Sequence, residues 1–175
     1  MSHLIVRGPN DHAAAAQGVE ARELAAGFDS LSLCLSKGLG APVGTVLLGR
    51  REFIDQARRP RKMLGGAMRQ SGILAAAALY ALEHHVARLA DDHANAQRLA
   101  RGLGEIAELQ VDGPHTNMLF VALDPERCAA FARHLAAAGI AALVRPRTRL
   151  VTHLDVDPAA IERVIVVVKD FFARR

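Results

Sequence analysis

A strand that runs into a lysine and then breaks on glycines constrains this chain more than any other stretch. The segment reads Ser30-Leu31-Ser32-Leu33-Cys34-Leu35-Ser36-Lys37-Gly38-Leu39-Gly40-Ala41-Pro42-Val43-Gly44. Its first residues form a half-alternating apolar run of strand length, bounded in front by Asp29. Gly38 and Gly40 then let the backbone turn sharply and approach a ligand closely. Lys37 therefore has two readings. It is a surface lysine closing a strand, or it is a partly buried amine, its pKa depressed by desolvation, that attacks a carbonyl to form a Schiff base.

The rest of the chain sets the setting for that lysine. Its 175 residues are enough to bury a sizeable core. The 51% hydrophobic fraction with only 4% aromatic residues suits a helix-rich α/β protein and argues against disorder. A net charge of +4 favours anionic ligands but does not establish nucleic-acid binding. Cys34 and Cys128 have no metal-ligand spacing and read as free thiols in a reducing compartment. No apolar run reaches membrane-spanning length, and residues 1–7 lack the pattern of a secretory signal, so the cytoplasm is the expected location.

Periodicity divides the chain into short elements. Residues 12–18 and 19–25 read as helical turns stopped by Gly18 and Gly27. Residues 43–48 read as a second strand, and residues 51–59 as a helix stopped at Pro60. The Ala- and Leu-rich tract 71–103 predicts one long helix or two abutting ones, with His84, His85 and His93 as solvated helix-face residues rather than metal ligands. Strands are predicted near residues 109–111, 117–123, 140–144 and 149–152. Helices are predicted from Pro125 to about Ala138 and from Pro158 to Phe172. That order argues for a compact α+β lobe with an antiparallel sheet.

Other chemistries fail on spacing. Lys37-Gly38 reverses the order of a P-loop. Gly38, Gly40 and Gly44 do not fit the dinucleotide fingerprint. No Gly-x-Ser-x-Gly elbow or zinc-type cluster is present, and aromatic residues do not interleave with the basic ones as single-strand nucleic-acid binding requires.

Phe28-Asp29-Ser30 and the run from Cys34 to Gly44 closely resemble the lysine segment of the low-specificity threonine aldolases, pyridoxal-phosphate (PLP) enzymes of the aminotransferase-like fold. The resemblance implies that Lys37 is the catalytic lysine and carries the cofactor. A second segment, from Arg58 through Arg61-Lys62 and Gly65-Gly66-Ala67-Met68-Arg69-Gln70, is similar to the family's basic loop, with Ala67 in place of a glycine. It implies that Lys62 and Arg69 are cofactor-binding residues near the site of a neighbouring subunit. Without the resemblance, this loop reads as a solvated basic surface or an anion site. A third segment, Arg149-Leu150-Val151-Thr152-His153-Leu154-Asp155-Val156, resembles the family's small-domain strand. There Arg149 takes the position of the arginine that grips the substrate α-carboxylate, a task suited to a rigid guanidinium fork. Arg145 and Arg147 lie off that pattern, and His153 is left a structural role.

The chain departs from the family near its start. Arg7-Gly8-Pro9-Asn10-Asp11 stands where the family has Asp-Gly-Ala-Arg, and Asp11 is not at the spacing of the family's aspartate. The implied fold class is α/β, the C-terminal part of an aminotransferase-like PLP-dependent transferase fold. Residues 1–68 are then a remnant of the cofactor-binding large domain, 69–104 the connecting helix or helices, and 105–175 the small α+β domain. The implied activity is that of a threonine aldolase, an aldehyde-lyase splitting L-threonine or L-allo-threonine into glycine and acetaldehyde. Its substrate is a small amino acid, its partner a second copy in a dimer or tetramer, with no nucleic acid, membrane or metal. The resemblance runs from about Gln17 onward and covers the C-terminal half of a family member. The chain alone is therefore expected to be incomplete and inactive. The competing expectation is a truncated pseudoenzyme or a non-catalytic chain that pairs with other subunits.

Overall fold

The computed structural model describes residues 3, 4 and 10–173, which fall into two compact units dividing at Leu89. In the first unit a short strand β1 (His3–Leu4) precedes helices α1 (Asn10–Gln17) and α2 (Ala21–Ala25), then strands β2 (Ser30–Cys34) and β3 (Thr45–Gly49). Helices α3 (Arg51–Met63) and α4 (Gly72–His84) follow. The three strands form a sheet in the order β1-β2-β3. β1 runs parallel to β2, whereas β2 and β3 pair antiparallel from Ser30 opposite Gly49 to Cys34 opposite Thr45. Gly18 ends α1 at φ +65°, a conformation that a side chain makes costly.

The core of this unit gathers around the turn after β2. Leu35, Leu39 and Ala41 are buried with Ala78 and Ala81 of α4, and Leu33 packs on the same cluster. Burying those side chains holds the turn down, so the intervening Ser36 and Lys37 face outward. Helix α3 runs through Pro60 to Met63 rather than stopping before it. A proline forfeits one ladder bond there. Arg61 and Lys62 in the last turn favour the negative helix end, and Leu64 N–H bonds the Pro60 carbonyl at 2.9 Å. The 71–103 tract is two helices, α4 and then α5 (Leu89–Gly104).

In the second unit α5 leads to β4 (Gln110–His115) and β5 (Met118–Ala122), then a 3-10 turn (Pro125–Arg127), α6 (Cys128–Ala137), β6 (Arg147–Val151) and α7 (Pro158–Ala173). The expected antiparallel sheet is present, in the order β4-β5-β6. Leu119 and Val121 on one face of β5 meet Leu99 and Leu103 of α5, Phe131 and Leu135 of α6, and Ile161, Ile165, Val168 and Phe172 of α7. The helical spacing of the α7 residues gives that helix one apolar stripe. Each such side chain, fully buried, contributes about 1.5–3 kcal/mol.

Capping fixes the helix starts. Asp124 accepts from Glu126 N–H at 2.9 Å, and Asp157 from Ala160 N–H at 2.7 Å. Residues 140–144 are not a strand, against the expectation. Thr148 Oγ1 accepts from Arg145 N–H at 2.9 Å and donates to Arg145 O at 2.8 Å. With Pro146 beside it, that closed turn diverts the chain before β6 begins. Among the described residues no helix is long and apolar enough to cross a membrane.

Candidate active site

Lys37 sits at the outer end of the β2–β3 connection, and its side chain is exposed. Of the two readings, the exposure fits a surface lysine: the partial burial expected of the Schiff-base amine is not observed, and what remains for that reading is the place of Lys37 on a closed turn after the strand. Among the described residues no carboxylate pairs with the amine, which leaves it available to a carbonyl. Its turn is closed by Gly40 N–H to Lys37 O at 2.9 Å and Ala41 N–H to Leu35 O at 3.0 Å. Gly38 is buried, and a Cβ there would stand 2.9 Å from His12 Cδ2 and closer still to Nε2. Glycine is required at this position by close approach rather than by its own dihedral. The Ser36 hydroxyl, 3.5 Å from Cys34 Sγ, holds that thiol below its ordinary pKa; the Lys37 charge adds a smaller push in the same direction.

Lys62 is exposed in the last turn of α3, and Arg69 is exposed in the turn before α4. The loop between them is closed by the side chain and the backbone of Arg61. Arg61 Nε donates to Gly66 O at 2.8 Å, Gly66 N–H returns to Arg61 O at 2.8 Å, and Gly65 takes φ +79°. Ala67 is accommodated there half-buried.

In the second unit the outward face of the sheet separates two arginines that lie two residues apart. Arg147 is occupied: its Nη2 donates to Asp112 Oδ2 at 2.7 Å and its Cζ lies 4.5 Å from the Phe120 ring centroid. Arg149 is exposed in the row Asp112-Phe120-Arg149 across the three strands, and no carboxylate pairs with it among the described residues. His115 and Arg147 together hold the Asp112 carboxyl below its ordinary pKa, His115 contributing most. Beyond β6 the chain is pinned by buried polar side chains. Thr152 Oγ1 donates to Asp92 O at 2.7 Å, Asn117 Nδ2 to Thr152 O at 2.8 Å, and Asn95 Nδ2 to Val156 O at 2.9 Å. These bonds fix the segment that follows Arg149.

Several of these supports were invisible to pattern reading. His85 is half-buried, not solvated, and its Nδ1 donates to Leu39 O at 2.6 Å. Burial of His93 holds its imidazolium below the ordinary pKa, against the opposing pull of Asp92. His84 is exposed as expected and stacks on Tyr80 with centroids 4.1 Å apart. A helix-face period does not reveal which turn of backbone lies opposite. Among the described residues no group of three or more metal-ligating side chains occurs. The side chain of Asp11 lies outside the described residues.

A family model described as beta-eliminating lyase matches residues 11–126. The chain belongs to this family. Within it, a low specificity L-threonine aldolase from Escherichia coli O157:H7 is 48% identical over 163 residues, 93% of this chain and 49% of the relative. This bears out the resemblance read from the lysine segment. The fold expectation also holds for this beta-eliminating lyase family chain. A solved structure assigned as an L-allo-threonine aldolase from Listeria monocytogenes EGD-E matches with a TM-score of 0.72 at 17% identity, covering 91% of this chain and 54% of that one. A structure of SPT with a PLP internal aldimine matches with a TM-score of 0.66 at 20% identity, covering 86% and 41%. The chain spans about half the length of the curated relatives it matches.

Proposed function

We propose that this chain supplies the lysine-bearing part of a PLP-dependent threonine aldolase, an aldehyde-lyase acting on L-threonine or L-allo-threonine. The observation that carries the reading is Lys37. Its amine is exposed and without a carboxylate partner among the described residues, on a turn whose next residue has no room for a Cβ. That arrangement fits an aldehyde cofactor, which needs a reachable amine held on a fixed turn. Lys37 would hold the cofactor covalently, with Lys62 and Arg69 binding its anionic groups in an assembly of subunits. When bound, PLP supplies an electron sink for the carbanion left by cleavage of the Cα–Cβ bond.

The chain's own residues supply binding and orientation. Arg149 presents an unpaired guanidinium that binds the α-carboxylate in two parallel hydrogen bonds, which fixes the direction of the Cα–Cβ bond. Arg147, already engaged by Asp112 and Phe120, supplies no such fork. The Lys37 nitrogen would hold the cofactor's aldehyde carbon and, as an amine, would accept and return protons beside the substrate.

The test uses the three lysines of the chain, Lys37, Lys62 and Lys169. The protein is mixed with PLP, reduced with borohydride and mapped by mass spectrometry. An adduct concentrated on Lys37, absent from Lys37→Ala, supports the reading. Equal labelling of all three, or none, overturns it. Acetaldehyde release from L-threonine, compared with Lys37→Ala, then measures turnover.

A second reading, a non-catalytic chain that pairs with other subunits, is favoured by the exposed apolar residues of the first unit. Val46, Leu47 and Leu48 lie along β3, an edge strand with every residue exposed, while Leu64 and Ile73 are 87% and 78% exposed. Such surfaces favour association. Concentration-dependent self-association by sedimentation, with no Lys37-selective adduct and no turnover, supports this second reading.

A further inference from the structure

We infer that His12 and His85 are positioning residues that hold the Lys37 turn from its buried side, His12 by filling the space against Gly38 and His85 by bonding the Leu39 carbonyl. The inference rests on the proposed role of Lys37 as the amine that meets the cofactor aldehyde. The two imidazoles come from different helical parts of the first unit: His12 lies on α1, and His85 is the residue that ends α4.

His12 is 1% exposed, and its ring occupies the volume that any side chain at position 38 would need. Leu89, itself fully buried, closes the same space, with Cδ2 3.1 Å from a Cβ at position 38. Gly38 is thereby wedged between an imidazole and a leucine, and the preceding residue is forced outward. His85 acts on the next residue. A carbonyl oxygen only accepts, so His85 Nδ1 carries the proton in the 2.6 Å bond to Leu39 O. Tyr80 packs edge-on to the His85 ring with centroids 5.6 Å apart and limits its rotation. The Leu39 side chain is fully buried, so both its carbonyl and its side chain are fixed.

The consequence is mechanical. Lys37 has a long side chain with much rotamer freedom, and its reach to a fixed aldehyde depends on where its Cα is held. Gly40 N–H to Lys37 O and Ala41 N–H to Leu35 O set that Cα on the outer side. The two histidines set the inner side. Both imidazoles act through the turn and not by touching cofactor or substrate.

The experiment uses the full chain and two readouts. Amide hydrogen exchange reports protection at Gly40 and Ala41, and the PLP-borohydride adduct rate at Lys37 is scaled to that at Lys62. His85→Ala is expected to lower protection at both amides and to slow the Lys37 adduct about three- to tenfold, the range of a lost hydrogen bond. His85→Asn places an amide N–H at the position of Nδ1 and is expected to restore both. Gly38→Ala should behave like His85→Ala, as should His12→Ala, which empties the space against Gly38; the double variant should recover in part because the added methyl refills that space beside Leu89.

Unchanged protection and adduct rate in His85→Ala, or failure of the Asn variant to rescue a folded protein, overturns the role of His85. A double variant no better than Gly38→Ala overturns that of His12. Absence of any Lys37 adduct in the wild-type chain counts against the proposed function alone, because the exchange measurement still decides whether the histidines hold the turn.

Discussion

Arg147 Nη2 and Asp112 Oδ2 lie 2.7 Å apart on the outward face of the second sheet, and this pair separates the roles of two neighbouring arginines. Arg147 is committed to Asp112 and Phe120, whereas Arg149 keeps its donors. Arg149→Lys in a protein containing this half should therefore weaken amino-acid binding by on the order of 2 kcal/mol, roughly thirtyfold. Arg147→Lys should leave that binding within about twofold, the effect of a solvent-exposed ion pair being small. Threonine affinity measured by titration decides. Equal losses from the two substitutions would remove Arg149 from its assigned place.

Asp112 itself should report the pair through pH. Its carboxyl is held below the ordinary value of 3.8, first by the His115 bond and then by Arg147. A carboxyl lowered in the folded state adds stability that is fully present above the unfolded pKa and is lost as pH falls through the folded one. Carboxyl NMR should place its midpoint under 3.8, and His115→Ala or Arg147→Ala should each raise it. A midpoint at or above 3.8 in the parent chain contradicts the geometry.

The lysine turn was legible because its determinants are local. A strand-length run, a lysine and two glycines within four residues state a shape without reference to the rest of the chain. In the sequence only the family pattern sets Arg149 apart from Arg147; that Arg147 is engaged depends on Asp112, 35 residues upstream. His85 read as a solvated helix residue because its partner, Leu39 O, is 46 residues away in sequence. The 140–144 stretch read as a strand because its composition suits one. The Arg145–Thr148 turn that diverts it is made by a side chain whose propensity says nothing of that bond. Pro60 does not act as a stop: α3 runs three residues past it to Met63, and Leu64 N–H still bonds the Pro60 carbonyl at 2.9 Å.

Cys34 and Cys128 are both half-buried free thiols, so exposure does not separate their reactivity. Ser36 does. Its hydroxyl lowers the Cys34 pKa, whereas Cys128 Sγ donates to the Asp124 carbonyl at 3.6 Å. Iodoacetamide at neutral pH should alkylate Cys34 several-fold faster than Cys128, since the thiolate is the reactive form. Ser36→Ala should narrow the gap by raising the Cys34 pKa. Mass spectrometry of timed samples measures both rates. Faster labelling of Cys128 contradicts the assignment.

Gly102 sets two effects against each other within α5. Replacing a helix-interior glycine with alanine ordinarily stabilises by about 0.5–1 kcal/mol, because the unfolded chain loses freedom. Here a Cβ would stand 2.5 Å from Ile165 Cδ1 and 2.8 Å from both Cγ1 and Cγ2. Ile165 is buried in the core of the second unit. Overpacking of such a core costs about 1–3 kcal/mol, so the clash should outweigh the helix preference. Gly102→Ala is expected to lower the urea midpoint of the chain. Ile165→Val removes the nearest methyl and should make the added Cβ less costly, so the double variant should lose less than the sum of the singles. A higher midpoint for Gly102→Ala alone would show that α5 and α7 separate more easily than their packing implies.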